Sequence, residues 1–126
     1  MASLFKLKAI EKVDLVPGHL VKEIIMKGSG NDLPNKGNTI TAHYTGVLQN
    51  GEKFDSSRDR GRPFSFKIGI GQVIQGWDVG MASMKVGERA VFTISSQYGY
   101  GEDGAPPVIP PNSSLVFDVE LLKISK

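Results

Sequence analysis

Four stretches of the chain place an apolar residue at every second position, and turn-forming residues separate them. Ile40, Ala42 and Tyr44 alternate with Thr39, Thr41, His43 and Thr45. Phe64, Phe66 and Ile68 form a second run, and Ala90, Phe92 and Ile94 a third. Leu115, Phe117, Val119 and Leu121 form the fourth. Successive side chains of a strand point to opposite faces, so these runs read as half-buried antiparallel strands, one face on a core and the other largely in water. Asn50-Gly51 follows the first run and is the strongest two-residue hairpin signal. Leu20 to Lys27 reads as a further strand, ended by Gly28-Ser29-Gly30. One segment breaks the pattern. Ile74, Trp77, Met81 and Met84 recur at helical offsets. Gly76 and Gly80 weaken that helix by about 1 kcal/mol each, so it must be held by packing its Trp-bearing face onto the sheet. The expected fold is α+β, a twisted antiparallel sheet of five to six strands with one short helix across it.

Residues 1–19 stand ahead of this pattern. Phe5, Leu7 and Ala9 alternate with Lys6 and Lys8, which fits a short strand, and Pro17-Gly18 closes the segment with a turn. The segment reads as an appended, partly ordered arm, with a basic interaction tail as the alternative. Residues 20–126 form the single remaining domain. Fifteen basic against thirteen acidic residues leave a net charge of +2, too small for a nucleic-acid-binding stripe. Without cysteine there is no disulfide, thiol nucleophile or cysteine zinc site. No stretch approaches the roughly 20 apolar residues of a membrane span, and Lys6 and Lys8 interrupt the opening segment as a secretory signal. The expected location is the cytoplasm, which makes Asn112-Ser113-Ser114 an incidental sequon.

Motifs of covalent chemistry are missing. Gly69-Ile70-Gly71 followed by Gly76 does not fit a dinucleotide fingerprint, and no phosphate loop or nucleophile elbow occurs. His19 and His43 lack the close pairing of zinc ligands, and His43 on a strand reads as a structural histidine. Asp55 and Asp59 are four residues apart, but Arg58 and Arg60 beside them favour neutralising ion pairs over a hydrolytic carboxylate pair. What remains is a set of aromatic residues drawn from separated segments: Tyr44, Phe54, Phe64, Phe66, Trp77, Tyr100 and Phe117. They suggest an apolar hole. Rotation about the peptide bond before proline needs such a hole more than it needs reactive groups, because nothing covalent breaks on the way over its barrier of about 18–20 kcal/mol.

His43-Tyr44-Thr45-Gly46, Phe54 to Arg60, Val73 to Trp77, Tyr98-Gly99-Tyr100-Gly101 and Val108-Ile109-Pro110-Pro111 together closely resemble the FKBP family. These are the macrolide-binding immunophilins that act as peptidyl-prolyl cis–trans isomerases. The likeness runs in order from about Leu20 to Lys126 and includes the Leu115 to Leu122 ending. It implies a half-barrel sheet wrapped around the short helix, with a pocket between them. Trp77 would form the floor, and Tyr44, Phe54, Phe64, Val73, Ile74, Ile109 and Phe117 the walls. Asp55, Tyr100 and the Ile74 N–H would supply the polar contacts of catalysis, and Arg60, Gln72 and Val108 would join the binding set. The resemblance implies no cofactor and no metal. As partners it implies proline-containing peptides and proteins, tacrolimus- or rapamycin-type macrolides, and a phosphatase or kinase docking on the drug-bound surface. Ala105, Pro107, Val108 and Gln72 depart from residues common in the family, and all four lie at the rim.

On this reading Asp55 transfers no proton. It is held by Arg60 and Tyr44 and shapes the cleft. The chain is expected to be a monomer. An exposed Pro106-Pro107 tip beside a proline-binding pocket also offers weak self-association. A binding module that recognises proline or a macrolide, with turnover incidental, uses the same pocket and stays open at this stage.

Overall fold

The computed structural model describes residues Met1–Lys126 and has seven strands and one α-helix. The strands are β1 (Glu11–Val16), β2 (Leu20–Met26), β3 (Thr39–Leu48), β4 (Lys53–Ser56), β5 (Phe64–Lys67), β6 (Arg89–Ile94) and β7 (Leu115–Ser125). They form one antiparallel sheet in the order β1-β2-β6-β7-β3-β4. β5 pairs with the start of β3, opposite Thr39 to Ala42, while β4 pairs further along, opposite Thr45 to Val47. Two short strands thus share one edge of β3, and the chain between them is free to leave the sheet. That division opens the space in which the site lies. The fold is the expected α+β half-barrel around a short helix, with the seventh strand contributed by β1.

The inward faces are those the alternation assigns. Ile40, Ala42, Tyr44, Phe92, Ile94, Leu115, Phe117, Val119 and Leu121 belong to one buried cluster with Trp77, Met81 and Met84. The helix is shorter than its apolar spacing suggests. α1 covers only Gln75–Gly80, and a 3-10 turn over Met81–Ser83 follows. Two of the helix's six residues are glycines that face side chains of β6. A Cβ on Gly76 would lie 2.6 Å from Ile94 Cγ2, and one on Gly80 would lie 2.9 Å from Phe92 Cε1. The Ile94 and Phe92 side chains of β6 fill the space a side chain would need at those positions, so glycine stands there at the expense of helical propensity.

Residues 1–19 differ most from expectation. Ala2–Phe5 form a 3-10 turn and the strand begins only at Glu11, so Phe5 to Ala9 is not a strand. The alternation there still has a physical meaning. Phe5, Leu7 and Ala9 are half-buried against Ala2, Val47, Val91 and Val116, a second apolar cluster on the outer face of the sheet. That face is therefore not simply wet. The strap lies over it, and β1 extends the sheet beside β2.

A buried ion pair ties the start of β6 to β2. Lys22 Nζ lies 2.6 Å from Glu88 Oε2, and both side chains are almost fully buried. Lys22 Nζ also donates to the Ser83 carbonyl at 2.9 Å, which fixes the turn that ends the helix. No helix is long and apolar enough to cross a membrane.

Candidate active site

The concave side of the sheet and α1 enclose an open cavity of about 210 Å³. It is lined by Tyr44, Phe54, Asp55, Phe64, Gln72, Val73, Ile74, Trp77, Tyr100 and Phe117. Each comes from an element already placed. Tyr44 and Phe117 are on neighbouring central strands, Phe54 and Asp55 on β4, and Phe64 opens β5. Gln72 to Ile74 lead into the helix, and Trp77 sits within its first turn.

Trp77 is the hub of the aromatic packing. Its ring lies edge-to-face with Tyr44 at 4.8 Å and with Phe117 at 5.1 Å between centroids. Phe66 and Phe64 stand 5.8 and 6.0 Å from it. Such geometries match the quadrupoles of the rings and hold the walls rigid. The indole is only 6% exposed, yet it lines the cavity, so the cup opens above it.

One polar cluster sits on the rim. The Tyr44 hydroxyl donates to Asp55 Oδ2, and Arg60 Nη1 donates to Asp55 Oδ1 at 2.5 Å. Arg60 Nη2 donates to the Tyr44 hydroxyl at 3.1 Å, which closes the triangle. Partial burial pushes the Asp55 carboxyl up, but the bonds from Tyr44 and Arg60 and the guanidinium charge outweigh it. Asp55 therefore lies below the usual carboxylate range. Burial, reinforced by the hydrogen bond to Asp55, holds the Tyr44 hydroxyl above its ordinary value. Burial, with the nearby Asp55 charge, does the same for Tyr100. Arg60 is raised by its bonds to Tyr44 and Asp55. The cluster is thus a fixed anion and cation with one neutral hydroxyl, and nothing in it is tuned to exchange protons near neutrality.

Three residues of the lining carry a donor without a partner in the chain, one of them the buried Trp77 Nε1. The Ile74 N–H makes no hydrogen bond within the chain, and neither does the Tyr100 hydroxyl. A backbone N–H left free at the wall of an apolar cup is an unmet demand that a bound carbonyl satisfies.

Three of the expected binding residues stand apart from the lining. Ile109 is buried in the main cluster, Val108 is 55% exposed, and Arg60 acts through Asp55 and Tyr44. Arg58 does not neutralise Asp55 or Asp59. It donates to Thr45 Oγ1 at 2.9 Å and approaches Asp118 at 3.7 Å, while Asp59 pairs with Lys53. The reason is strand direction: Arg58 leaves the hairpin toward the outer face, where Asp118 is held by Arg89.

Sequence reasoning passed over two supports of the cup. Ser57, fully buried, accepts from the Tyr44 amide at 2.8 Å, and its hydroxyl lies 2.9 Å from His43 Nδ1. Gly46 lies where a Cβ would come within 2.6 Å of Phe117 and 2.7 Å of Phe54. Neither has a spacing signal, because each acts across strands.

Comparison with known proteins agrees with this architecture. Residues 30–122 match the sequence model of the family described as FKBP-type peptidyl-prolyl cis-trans isomerase. The chain is 57% identical over 108 residues to FK506-binding protein 1 of Yarrowia lipolytica, covering 86% of this chain and 99% of that protein. It is 58% identical over 104 residues to a peptidyl-prolyl cis-trans isomerase of Schizosaccharomyces pombe, covering 82% and 93%. Peptidyl-prolyl cis-trans isomerase Fkbp12 of Drosophila melanogaster is 57% identical over 100 residues, covering 79% and 93%.

Proposed function

The chain belongs to the FKBP-type peptidyl-prolyl cis-trans isomerase family, and from that premise we propose that the aromatic cup is where it turns X–Pro bonds and also where it takes tacrolimus- or rapamycin-type macrolides. The observation that carries this reading is an apolar cup floored by Trp77 whose lining includes Ile74 and Tyr100, with an N–H and an O–H that have no partner in the chain.

The chemistry follows from what the cup holds and what it lacks. The planar amide is more dipolar than its twisted transition state, so water favours the planar form. Moving the bond among Trp77, Tyr44, Phe64 and Phe117 removes that preference and grips the proline ring. As the bond twists, the substrate carbonyl leaves the amide plane. Ile74 N–H and Tyr100 O–H are then donors waiting for it, which is tighter fit to the transition state than to the substrate. A rate gain of order 10⁶ requires about 8 kcal/mol, a scale that desolvation and two preorganised donors can supply. Asp55 shapes the mouth. Paired with Arg60 and Tyr44, it keeps the Tyr44 ring upright beside the indole.

The names of the fungal relatives supply the macrolide half of the reading. Titration with tacrolimus while Trp77 fluorescence and isomerase activity on a proline tetrapeptide are followed tests both halves. The two signals are expected to change with one affinity, and separate affinities would divide the sites. Trp77→Leu should weaken the macrolide more than it slows turnover, since it enlarges the floor and leaves both donors.

The rim carries the finer partners in this proposal. Val108 and the Pro106-Pro107 tip are exposed and, on this reading, form the surface that a phosphatase or kinase would meet once a drug is bound. The same tip can enter the cup of a second molecule, and self-association that persists in Pro107→Gly eliminates that contact. The reading assumes the cytoplasm, which cell fractionation checks.

A further inference from the structure

We propose that Asp78 is a positioning residue for the reaction, its carboxylate and its own amide fixing the backbone that presents the Ile74 N–H to the cup. The inference rests on the donor role given to Ile74 above.

The connection from β5 to α1 has no strand or helix of its own to hold it. Within it Gly69 and Gly71 both adopt left-handed backbone, with φ of +80° and +79°. That pair of turns aims two amides at one carboxylate. Gly69 N donates to Asp78 Oδ1 at 2.9 Å, and Gly71 N donates to Asp78 Oδ2 at 3.0 Å. The Asp78 amide donates back to the Ile74 carbonyl at 3.2 Å, beside the Trp77 amide at 3.0 Å. Ile74 is therefore bracketed, by Gly71 three residues before it and by Asp78 four residues after it. Another side-chain tie in the connection, Gln72 Oε1 accepting from the Lys67 amide at 2.8 Å, holds its opposite end.

The arrangement suits a donor that must wait in place. Ile74 has no internal partner to hold its amide, so its direction is set by its neighbours alone. Bonds to an ionised acceptor are about twice as strong as neutral ones, and a carboxylate on a side chain with two torsions has little slack. A donor misplaced by a fraction of an ångström loses much of its effect on a carbonyl that leaves the amide plane only at the transition state. Loosening this clamp should therefore lower kcat more than it alters KM.

The test compares wild type, D78A and D78N, with V91A as a control from the outer-face cluster, each at a temperature where it is folded. D78A is expected to lower kcat on a proline tetrapeptide about tenfold with KM changed less than twofold. Hydrogen exchange at the Gly69 and Gly71 amides should quicken in the same variant. D78N keeps one acceptor and turns an amino group toward the other glycine amide, so an intermediate loss is expected. V91A should lose thermal stability and keep kcat. Wild-type kcat in D78A overturns the proposal, and so does wild-type kcat in D78N if D78A fails to fold. Failure of the underlying reading looks different, since the wild-type protein would then isomerise the peptide with its cup already filled by tacrolimus.

Discussion

Asp55 is a charge kept as a charge, and its pH dependence follows from the direction of its shift. Its folded value lies below that of an unfolded aspartate, near 3.9, so the unfolded chain binds its proton first as pH falls. The stabilisation from Tyr44 and Arg60 is complete above about pH 4 and is lost as pH drops through the folded value. A difference in urea midpoint between wild type and Asp55→Asn is expected at pH 7 and should shrink toward pH 3. The side chain is 42% exposed, so the difference will be modest. On the alkaline side Tyr44 and Tyr100 both keep their protons beyond the ordinary tyrosine range near 10. Isomerase activity should therefore be flat from about pH 5 to pH 9, and a bell centred near neutrality would reveal a proton-transfer step that this cluster is not built to perform.

Among the elements, the junction of β3, β4 and β7 decides the shape of the cup. Gly46 pairs with Phe117 across one edge and with Asp55 across the other. Phe54 and Phe117 meet edge-to-face at 5.5 Å directly over it. Gly46→Ala would force both rings away from the strand and into the cavity. Overpacking of this kind costs about 1–3 kcal/mol, and the displaced rings would also narrow the mouth. The expected outcome is weaker tacrolimus binding together with a lower melting temperature, and replacing Phe54 by leucine in the same chain should restore part of the binding. The alternating runs made the strands and their inward residues legible, because burial on one face leaves a period of two. They did not show which strands would be neighbours, so Gly46 carried no signal beyond its place in a motif. The same limit explains Arg58. Its charge is visible in the sequence, but its partner Asp118 is sixty residues away on β7. Helical spacing at Met81 and Met84 recorded burial, not helix, since a 3-10 turn can bury both.

For the molecule as a whole, one sheet separates two apolar clusters with different duties. The inner cluster carries Trp77 and the cup, and the outer one is closed by the strap of residues 2–9. Val91 and Val116 fall between the inward residues of their runs, and alternation tells which side a residue takes, not what comes to cover that side. Their cover is Phe5, Leu7 and Ala9, none of which lines the cup. The strap should therefore bear on stability and not on turnover. Phe5 and Leu7 are each about half-buried, so replacing both by serine removes about 2–3 kcal/mol of apolar burial. For a domain of this size that corresponds to a fall in melting temperature of roughly 10 °C. Below that lowered transition, kcat/KM and tacrolimus affinity should match the wild type. A doubly substituted protein that stays folded but binds tacrolimus several-fold more weakly would show that the outer cluster presses on the cup through β7, where Val116 and Phe117 are consecutive residues on opposite faces.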